Sequence, residues 1–200
     1  MDYPWIGLVG KAQSGKGTVG LHLVENYGYR EVGFADPLRE MALAINPILD
    51  IHEHIRYEEA VNVYGYAGTK SRFPEARRFL QCLGTEGGRE ILGEHIWVDA
   101  AVRKAEAMGA PCVFTDVRFP NEAQAIRDHG GVVVRIVRPH MELPLDPSLE
   151  AHASETIQDS IDVDAHIFNS RGFVDLYRQI DREFIHWLGL SQPDPMEHHA

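Results

Sequence analysis

A glycine-rich segment directly behind an apolar run most constrains how this chain can fold. The segment reads Gly10-Lys11-Ala12-Gln13-Ser14-Gly15-Lys16-Gly17-Thr18, and it follows the apolar residues Trp5–Val9. Its glycines allow successive backbone N–H groups to converge, and a helix beginning at Lys16 adds the positive end of its dipole. The strand, loop and helix together predict a phosphate-binding loop, and the alternative is a glycine-rich turn without a ligand.

Lys16 and Thr18 carry the most specific expectations within this loop. Lys16 places a mobile positive charge beside the β- and γ-phosphates of a bound nucleotide. The residue after this lysine is usually serine or threonine, but here it is Gly17. The hydroxyl on the Mg²⁺ side must therefore come from Thr18, which requires the first helical turn to place it there.

Composition limits the class of protein. Two hundred residues with a hydrophobic content of 44% suit one domain with a substantial core. The formal net charge of −11 argues against a nonspecific binder of duplex nucleic acid, which needs many phosphate-neutralising cations. Any anionic substrate must therefore meet a local basic cluster, and we expect no polymeric nucleic acid as a partner.

The sequence also gives expectations for the cellular location of the protein and for its cysteine and histidine residues. No apolar run reaches eighteen residues and no export leader precedes the first strand, so we expect a cytosolic protein with no membrane partner. Cys82 and Cys112 do not suggest a disulfide framework or a zinc site, and both are expected to be buried thiols. The pairs His52/His54 and His198/His199 lack further ligands at a convincing spacing and are expected at the surface.

Apolar segments with strand character alternate with helix-like segments along the chain. This alternation predicts a parallel sheet that is covered by helices on both faces. The predicted strands are Trp5–Val9, Glu31–Phe34, Cys112–Thr115, Val132–Val137 and Ala165–Phe168. The predicted helices around them are Lys16–Tyr27, Leu38–Ala44 with Asp36 as its cap and Pro37 at its first position, Pro120–His129, and Phe173–Leu188.

Two segments do not fit a simple crossover between strands. Residues 46–108 are too long and largely helical, which predicts an inserted helical subdomain. Within it we expect a mobile loop at Gly65–Pro74 and helices at Glu75–Leu83, Glu86–Leu92 and Ile96–Met108. The irregular, proline-containing residues 138–153 are a candidate lid.

Two predicted strands end in a segment that pairs a carboxylate with an arginine. These segments are Asp36-Pro37-Leu38-Arg39 and the run Asp116–Glu122, which contains Arg118. Strand carboxyl ends of a doubly wound sheet share a ligand-binding crevice, and the planar arginine fork suits phosphate oxygens. Asp116 is expected to orient Mg²⁺-bound water or to hold Thr18. The alternative for each arginine is a local ion pair that only caps a helix.

The joint order of several motifs resembles the phage-type deoxynucleoside monophosphate kinases, within the P-loop nucleoside monophosphate kinase group, over nearly the whole chain. The segments that carry the resemblance are Gly10–Thr18, Gly33–Arg39, Leu80–Glu86 with Arg89, Trp97-Val98, Thr115–Glu122 and His152–Glu155. The order Gly-Lys-Gly-Thr at 15–18 is also similar to the variant loop of adenylate kinases. The shifted threonine is therefore consistent with the group.

The resemblance implies a fold and a reaction. The fold is an α/β P-loop kinase domain over residues 1–200, with a five-stranded parallel sheet flanked by helices, an acceptor-binding helical insertion and a short lid. The reaction is transfer of the γ-phosphoryl group from ATP, with Mg²⁺, to a deoxynucleoside 5′-monophosphate. A phage-encoded enzyme of this kind would act in the host cytoplasm, and a homodimer is one possible assembly.

The resemblance also implies roles for particular residues. ATP is expected to contact residues of the loop and one residue after the last strand: Lys11, Ala12, Gln13, Ser14, Gly15, Lys16, Gly17, Thr18 and Asn169. The expected catalytic residues are Lys16, Asp116, Arg118 and Arg138, and the expected metal ligands are Thr18 and Asp116. The expected acceptor ligands are Asp36, Arg39, Arg77, Gln81 and Arg89.

Less specific explanations remain open for several of these residues. Arg77 and Arg78 equally suit a solvated helix face, and Glu86 with Arg89 suits a surface ion pair. Trp97 suits core packing better than a base platform. The candidate lid departs from that of the long-lid adenylate kinases. It contains Arg138 but no further arginine or lysine, and the next such residue in the chain is Arg171. The functional alternatives are a dephospho-coenzyme A or other small-metabolite kinase and a noncatalytic nucleotide-binding module.

Overall fold

The computed structural model describes residues 3–139 and 157–187. The chain divides into two compact units, one formed by Met1–Gly33 with Met108–Ala200 and the other by Phe34–Ala107. In chain order the elements are β1 (Ile6–Val9), α1 (Lys16–Tyr27), β2 (Arg30–Val32), α2 (Asp36–Ile45), β3 (Ile48–Asp50), β4 (Ile55–Arg56), α3 (Tyr57–Arg72), α4 (Pro74–Gln81), a π-helix (Cys82–Leu92), α5 (Ile96–Ala107), β5 (Cys112–Phe114), α6 (Pro120–Asp128), β6 (Val132–Val137), β7 (Ala165–Phe168) and α7 (Phe173–Trp187).

The first unit is built on a five-stranded sheet in the order β2-β5-β1-β6-β7. Every neighbouring pair is parallel, and β1 lies between two strands that come more than one hundred residues later. All four residues of β1 are buried, as a central strand covered on both faces requires. The predicted parallel sheet is confirmed, and β6 and β7 have the predicted bounds.

Helices cover both faces of this sheet. On one face, Leu23 of α1 and Leu176 of α7 pack with the buried side chains of β1, β6 and β7. On the other face, α6 comes so close to β1 that a Cβ on Gly7 would lie 2.6 Å from the Ile126 side chain. A glycine in the central strand therefore permits the approach of α6.

A polar cluster joins α1 to α7 outside the apolar core. The Asp181 carboxylate lies 2.7 Å from His22 Nε2 and accepts a hydrogen bond of 2.7 Å from the Tyr27 hydroxyl. The His22 ring stacks on Tyr177 at a centroid distance of 4.3 Å. Burial and the bond to Asp181 raise the pKa of Tyr27. These contacts fix the direction of α1, and thus of the helix N-terminus that faces the glycine-rich loop.

The second unit has its own core and is mainly helical. One cluster of its buried residues contains Ala42, Leu49, Tyr57, Ala60, Phe73 and Ala76. It runs from Phe34 to Ala107, so it includes α2 in addition to residues 46–107 of the predicted insertion at 46–108. The short antiparallel hairpin of β3 and β4 was not anticipated in the sequence, since neither strand exceeds three residues.

The predicted loop at Gly65–Pro74 is wrong. Residues on both sides of Gly65 belong to α3, and only Gly65 departs from helical geometry, with φ 66° and ψ 172°. The buried Thr69 donates its hydroxyl proton to the Gly65 carbonyl at 2.8 Å, which fixes the kink from the following turn. The glycine therefore produces a sharp kink between two helical segments that together form α3.

Three smaller expectations also differ from the structure. Ala35 is the N-cap of α2, so Asp36 and Pro37 are its first two residues and Asp36 is not the cap. Glu75–Leu83 and Glu86–Leu92 are not separate helices, because α4 continues directly into the π-helix. Cys82 is exposed, in contrast to the buried Cys112, because it begins the π-helix on its solvent side.

Candidate active site

The glycine-rich loop connects the buried β1 to the start of α1. Gly15 is the N-cap of α1 and has a left-handed backbone, with φ 112°. Gly10 has φ 151°, and a Cβ there would lie 2.5 Å from the Ile136 carbonyl oxygen. Both glycines are therefore required by the backbone path of the loop itself.

The Lys16 ammonium folds back over this loop. It donates hydrogen bonds to the carbonyl oxygens of Gly10 at 2.5 Å and Lys11 at 2.9 Å. Lys11, Ala12 and Gln13 are exposed at the turn of the loop. A cation thus lies beside the N-terminus of α1, where the first backbone N–H groups and the helix dipole favour an anion.

Two residues that follow strands β6 and β7 donate hydrogen bonds to the loop. Asn169, directly after β7, donates from Nδ2 to the Ser14 carbonyl oxygen at 2.9 Å. Arg138, directly after β6, donates to the Gln13 carbonyl oxygen at 3.4 Å. The structure therefore brings Arg138 and Asn169 to the loop, as their positions at strand carboxyl ends imply. Residues 140–153 of the predicted lid and the segment His152–Glu155 lie outside the described residues.

The segment after β5 is fixed by a buried carboxylate that the sequence analysis did not single out. Glu122 is 4% exposed and accepts hydrogen bonds from the backbone N–H groups of Arg118 at 2.7 Å and Phe119 at 3.1 Å. This arrangement caps α6 and sets the backbone of the preceding turn. Arg118 has an exposed side chain and Asp116 is half-buried. Glu122 performs the capping role that was the alternative explanation for the Asp116 and Arg118 pair.

In the second unit, Arg39 is held at the first turn of α2. Its Nη1 lies 3.1 Å from the Asp36 carboxylate, and its guanidinium carbon lies 5.2 Å from the centre of the Tyr66 ring. Lys104 of α5 lies 2.5 Å from Glu40 and 3.8 Å from Asp36. The hydrogen bond to Glu40 and the nearby Asp36 raise the pKa of Lys104. Asp36 therefore lies between two cations.

The remaining predicted acceptor residues lie on the α4 and π-helix segment. Arg77 and Gln81 are exposed on α4, and Arg89 is half-buried on the π-helix. Three of the four charged side chains between residues 77 and 89 are cationic, although the whole chain is acidic. This is the kind of local basic cluster that an anionic substrate requires in such a chain.

Trp97 packs against the wide turn of the π-helix. It is 5% exposed, and its Nε1 donates to the Gly84 carbonyl oxygen at 2.8 Å. A Cβ on Gly88 would lie 2.6 Å from the indole ring. The prediction that Trp97 is a core residue is confirmed. Long π-helices are rare and often mark functional sites, but their widened turn leaves no periodicity that the sequence analysis detected.

Residues 3–139 and 157–187 contain neither a metal-binding cluster nor a membrane-spanning helix. No group of three or more histidine, cysteine or acidic side chains there is arranged to hold a metal ion. Likewise, none of the helices in these ranges is long and apolar enough to cross a membrane. His52 and His54 are exposed, as expected.

A sequence profile of the family "Deoxynucleotide monophosphate kinase" matches residues 67–180, more than half of the chain. The chain belongs to the deoxynucleotide monophosphate kinase family. The match includes α4, the π-helix and strands β5 to β7. The glycine-rich loop lies before it, so the loop and the family match are separate indications of a kinase.

The names of two individual relatives agree with this family assignment. A putative deoxynucleotide monophosphate kinase of Acanthamoeba polyphaga mimivirus is 30% identical over 193 residues, which cover 88% of this chain and 93% of that protein. The deoxynucleoside-5′-monophosphate kinase of Escherichia phage T5 is 41% identical over 63 residues, covering 30% of this chain and 25% of the phage protein. The predicted kinase class is confirmed.

One solved structure concerns the metabolite-kinase alternative. Dephospho-CoA kinase from Campylobacter jejuni aligns with a TM-score of 0.49 and 13% identity, covering 91% of this chain and 97% of that one. A likeness of this size gives no preference for its substrate. The fold assignment follows instead from the parallel sheet order and the loop after its central strand.

Proposed function

We propose that this deoxynucleotide monophosphate kinase transfers the γ-phosphoryl group of ATP to a deoxynucleoside 5′-monophosphate, giving ADP and the deoxynucleoside diphosphate. The observation that carries the proposal is the Lys16 ammonium beside the glycine-rich N-terminus of α1, in a chain of this family. Such a loop binds the phosphates of a donor nucleotide through backbone N–H groups.

The donor side of the reaction is assigned to the first unit. Loop residues 11–18 would hold the ATP phosphates, and Lys16 would exchange its contacts with loop carbonyls for the β- and γ-phosphates. Asn169 lies against the loop through Ser14, which supports its proposed contact with the donor nucleotide. Arg138 and Arg118 would neutralise charge on the transferring group.

Mg²⁺ is the metal that this reaction requires, and the donor set fits it. Thr18 lies in the first turn of α1, and Asp116 follows β5. Hydroxyl and carboxylate oxygens are hard ligands of the kind that Mg²⁺ prefers. When bound with ATP, the ion supplies positive charge to the β- and γ-phosphate oxygens.

The acceptor side is assigned to the second unit. Arg39 would receive the acceptor phosphate, because part of its side chain is exposed and a guanidinium stays charged throughout the reaction. Arg77 and Arg89 would add charge from the basic segment, and Gln81 would read the base by hydrogen bonding. Asp36 would act by orienting Arg39, since a carboxylate directly against a phosphate is repelled.

The protein itself has little covalent chemistry to perform in this reaction. The acceptor phosphate is already ionised near neutral pH, so neither a nucleophilic side chain nor a general base is needed. Alignment of the two substrates and neutralisation of charge supply most of the acceleration. A cytoplasmic location and a homodimeric assembly stay predictions.

The test is ADP formation from ATP and Mg²⁺ with each of the four common deoxynucleoside monophosphates. We expect one or more of them to stimulate ADP formation strongly. The matching ribonucleotides report discrimination at the sugar, and dephospho-coenzyme A tests the metabolite-kinase alternative. Stimulation by dephospho-coenzyme A alone would replace the proposal. ATP binding without stimulation by any acceptor would indicate the noncatalytic module.

A further inference from the structure

Tyr66 places an aromatic ring against the face of the Arg39 guanidinium. The guanidinium carbon lies 5.2 Å from the ring centre, within the range of a cation–π contact. Arg39 also has the Asp36 carboxylate at 3.1 Å, and its side chain is 40% exposed. The cation is therefore held on one face and one edge, and it still reaches solvent.

The geometry of these two contacts leaves donors for a ligand. A guanidinium carries five N–H groups, and all of them lie in its plane. The Tyr66 ring contacts the face, so it uses none of these groups, and the Asp36 bond engages Nη1. The remaining edge is suited to two parallel hydrogen bonds with phosphate oxygens.

The position of Tyr66 is set by the kink in α3. Gly65, directly before it, is the non-helical residue of that helix, and the Thr69 hydroxyl fixes the kink by bonding to the Gly65 carbonyl. Thr69 is fully buried. Tyr66 is thus held by a feature of the backbone that a regular helix would lack.

We propose that Tyr66 is a positioning residue for the acceptor: its ring orients Arg39 so that the exposed edge of the guanidinium receives the acceptor phosphate. This inference rests on the acceptor role proposed for Arg39. An unrestrained arginine must give up much rotamer freedom on binding, and a side chain that is already oriented gives up less. The role of Tyr66 is therefore expected in acceptor affinity and not in the rate of transfer.

The same helix contains a matched control. Tyr64 lies against Arg72 with a distance of 4.8 Å between the guanidinium carbon and the ring centre. Tyr64 is 40% exposed, and neither it nor Arg72 belongs to the proposed acceptor residues. Removing this second tyrosine changes α3 in a similar way without changing the support of Arg39.

The test compares Tyr66→Leu, Tyr66→Phe and Tyr64→Leu in steady-state kinetics with the best deoxynucleoside monophosphate. We expect Tyr66→Leu to raise the KM of the acceptor about 5- to 20-fold, the range of a cation–π contact, with kcat and the KM of ATP within about twofold. Tyr66→Phe keeps the ring and should retain a nearly normal KM. Tyr64→Leu should behave like the unmodified enzyme.

Further arms separate failure of this inference from failure of the proposed function. Arg39→Ala is measured in parallel, and Tyr66→Leu is also made in the Arg39→Ala background, where we expect no additional increase in KM. If Arg39→Ala raises the acceptor KM but Tyr66→Leu does not, the positioning role is wrong and the acceptor role stands. If Arg39→Ala has no effect, the acceptor role itself is wrong.

Two other results would also overturn the inference. One is an equal rise in KM for Tyr66→Leu and Tyr66→Phe, which would show that the ring is not what matters. The other is an equal rise for Tyr64→Leu, which would indicate a general disturbance of α3. If Tyr66→Leu does not fold, Tyr66→Met takes its place in every comparison, because it also lacks the ring and has similar bulk.

Discussion

The two units of this kinase offer different kinds of group to anionic ligands. In the first unit the proposed binding groups are backbone N–H groups, and glycines with φ of 151° and 112° shape the loop that carries them. In the second unit the main candidate is a side chain, Arg39, which Asp36 and Tyr66 orient. A backbone site is encoded by neighbouring residues, whereas a side-chain site depends on residues that only the fold brings together.

The difference also separates the expected effects of mutation. Changes in the loop should affect the transfer step or the fold of the loop, because the backbone there is both structure and ligand. Changes around Arg39 should affect mainly the binding of one substrate. The following predictions test this separation, starting with the largest expected effect.

Lys16→Ala should lower turnover by about 10³-fold or more, which corresponds to roughly 4 kcal/mol of transition-state stabilisation. The Lys16 ammonium lies against the loop. Its loss removes the positive charge that is proposed to stabilise the transferring phosphoryl group. The measurement is kcat with both substrates saturating, and Arg178→Ala, an exposed cation on α7, is the control. Near-normal turnover of Lys16→Ala would reject the assignment of the loop.

Arg39→Ala should raise the KM of the acceptor about 10- to 100-fold and leave the KM of ATP within about threefold. The expected size is that of a charge-assisted hydrogen bond to phosphate. Arg103→Ala, which removes an exposed arginine of α5, is the matched control in the same unit. Equal increases in both KM values would break the proposed division between the two units.

Gly15→Ala and Gly17→Ala should separate the structural and ligand-binding roles of the loop glycines. Gly15 has a left-handed backbone, and a Cβ there would lie 2.7 Å from Asn169 Nδ2, so alanine should lower the free energy of unfolding by about 1–3 kcal/mol. A Cβ on Gly17 meets no atom within 4 Å. Its replacement should leave the thermal midpoint unchanged or higher and raise the KM of ATP about fivefold, because the methyl group occupies space needed by phosphate. Thermal unfolding together with ATP kinetics checks both, and a lowered midpoint for Gly17→Ala would contradict this explanation.

The smallest predicted effect concerns the two thiols. Burial raises the pKa of Cys112 to about 11, so it should not react with a thiol reagent at pH 8 while the sheet is folded. Cys82 is exposed, and its hydrogen bond to Glu86 raises its pKa. Removing that carboxylate lowers the pKa and increases the thiolate fraction, so Glu86→Gln should accelerate labelling about two- to threefold.

Reagent kinetics in the native protein and in denaturant check this prediction. One thiol should react in the native state and two after unfolding, and Cys82→Ser should remove the native reaction. Rapid native labelling of Cys112 would show that the sheet of the first unit opens readily. It would then weaken the contrast between a rigid backbone site and an adjustable side-chain site.

The sequence was most informative where a structure depends on local residues. Strands β6 and β7 and helix α1 have the predicted bounds, since apolar runs and flanking glycines define them. Lys16 and Asn169 lie where their positions after strands imply. The predictions for the strands, for α1 and for Lys16 needed only neighbouring residues, whereas the expectation for Asn169 came from the family resemblance.

The sequence was less informative where tertiary contacts determine the local structure or the position of a side chain. Gly65 was interpreted as part of a loop, but helical segments lie on both sides of it, and the Thr69 hydroxyl bonds to its carbonyl. Tyr66 was missed because no periodicity or motif relates it to Arg39, twenty-seven residues earlier. Tyr57 was missed for the same reason. Its hydroxyl is buried without a hydrogen-bond partner in the described part of the chain, and burial raises its pKa.

The order of the strands has a consequence for the synthesis of the chain on the ribosome. Ile6 of β1 pairs with Val113 of β5 and Val132 of β6, so the strand before the phosphate-binding loop has no partners until those residues emerge. At roughly 5–20 residues per second, that interval is on the order of ten seconds. All the buried hydrophobic residues of the helical unit lie between Phe34 and Ala105 and are translated within that interval. The helical unit can therefore fold first, and the phosphate-binding loop acquires its supporting strands only later in translation.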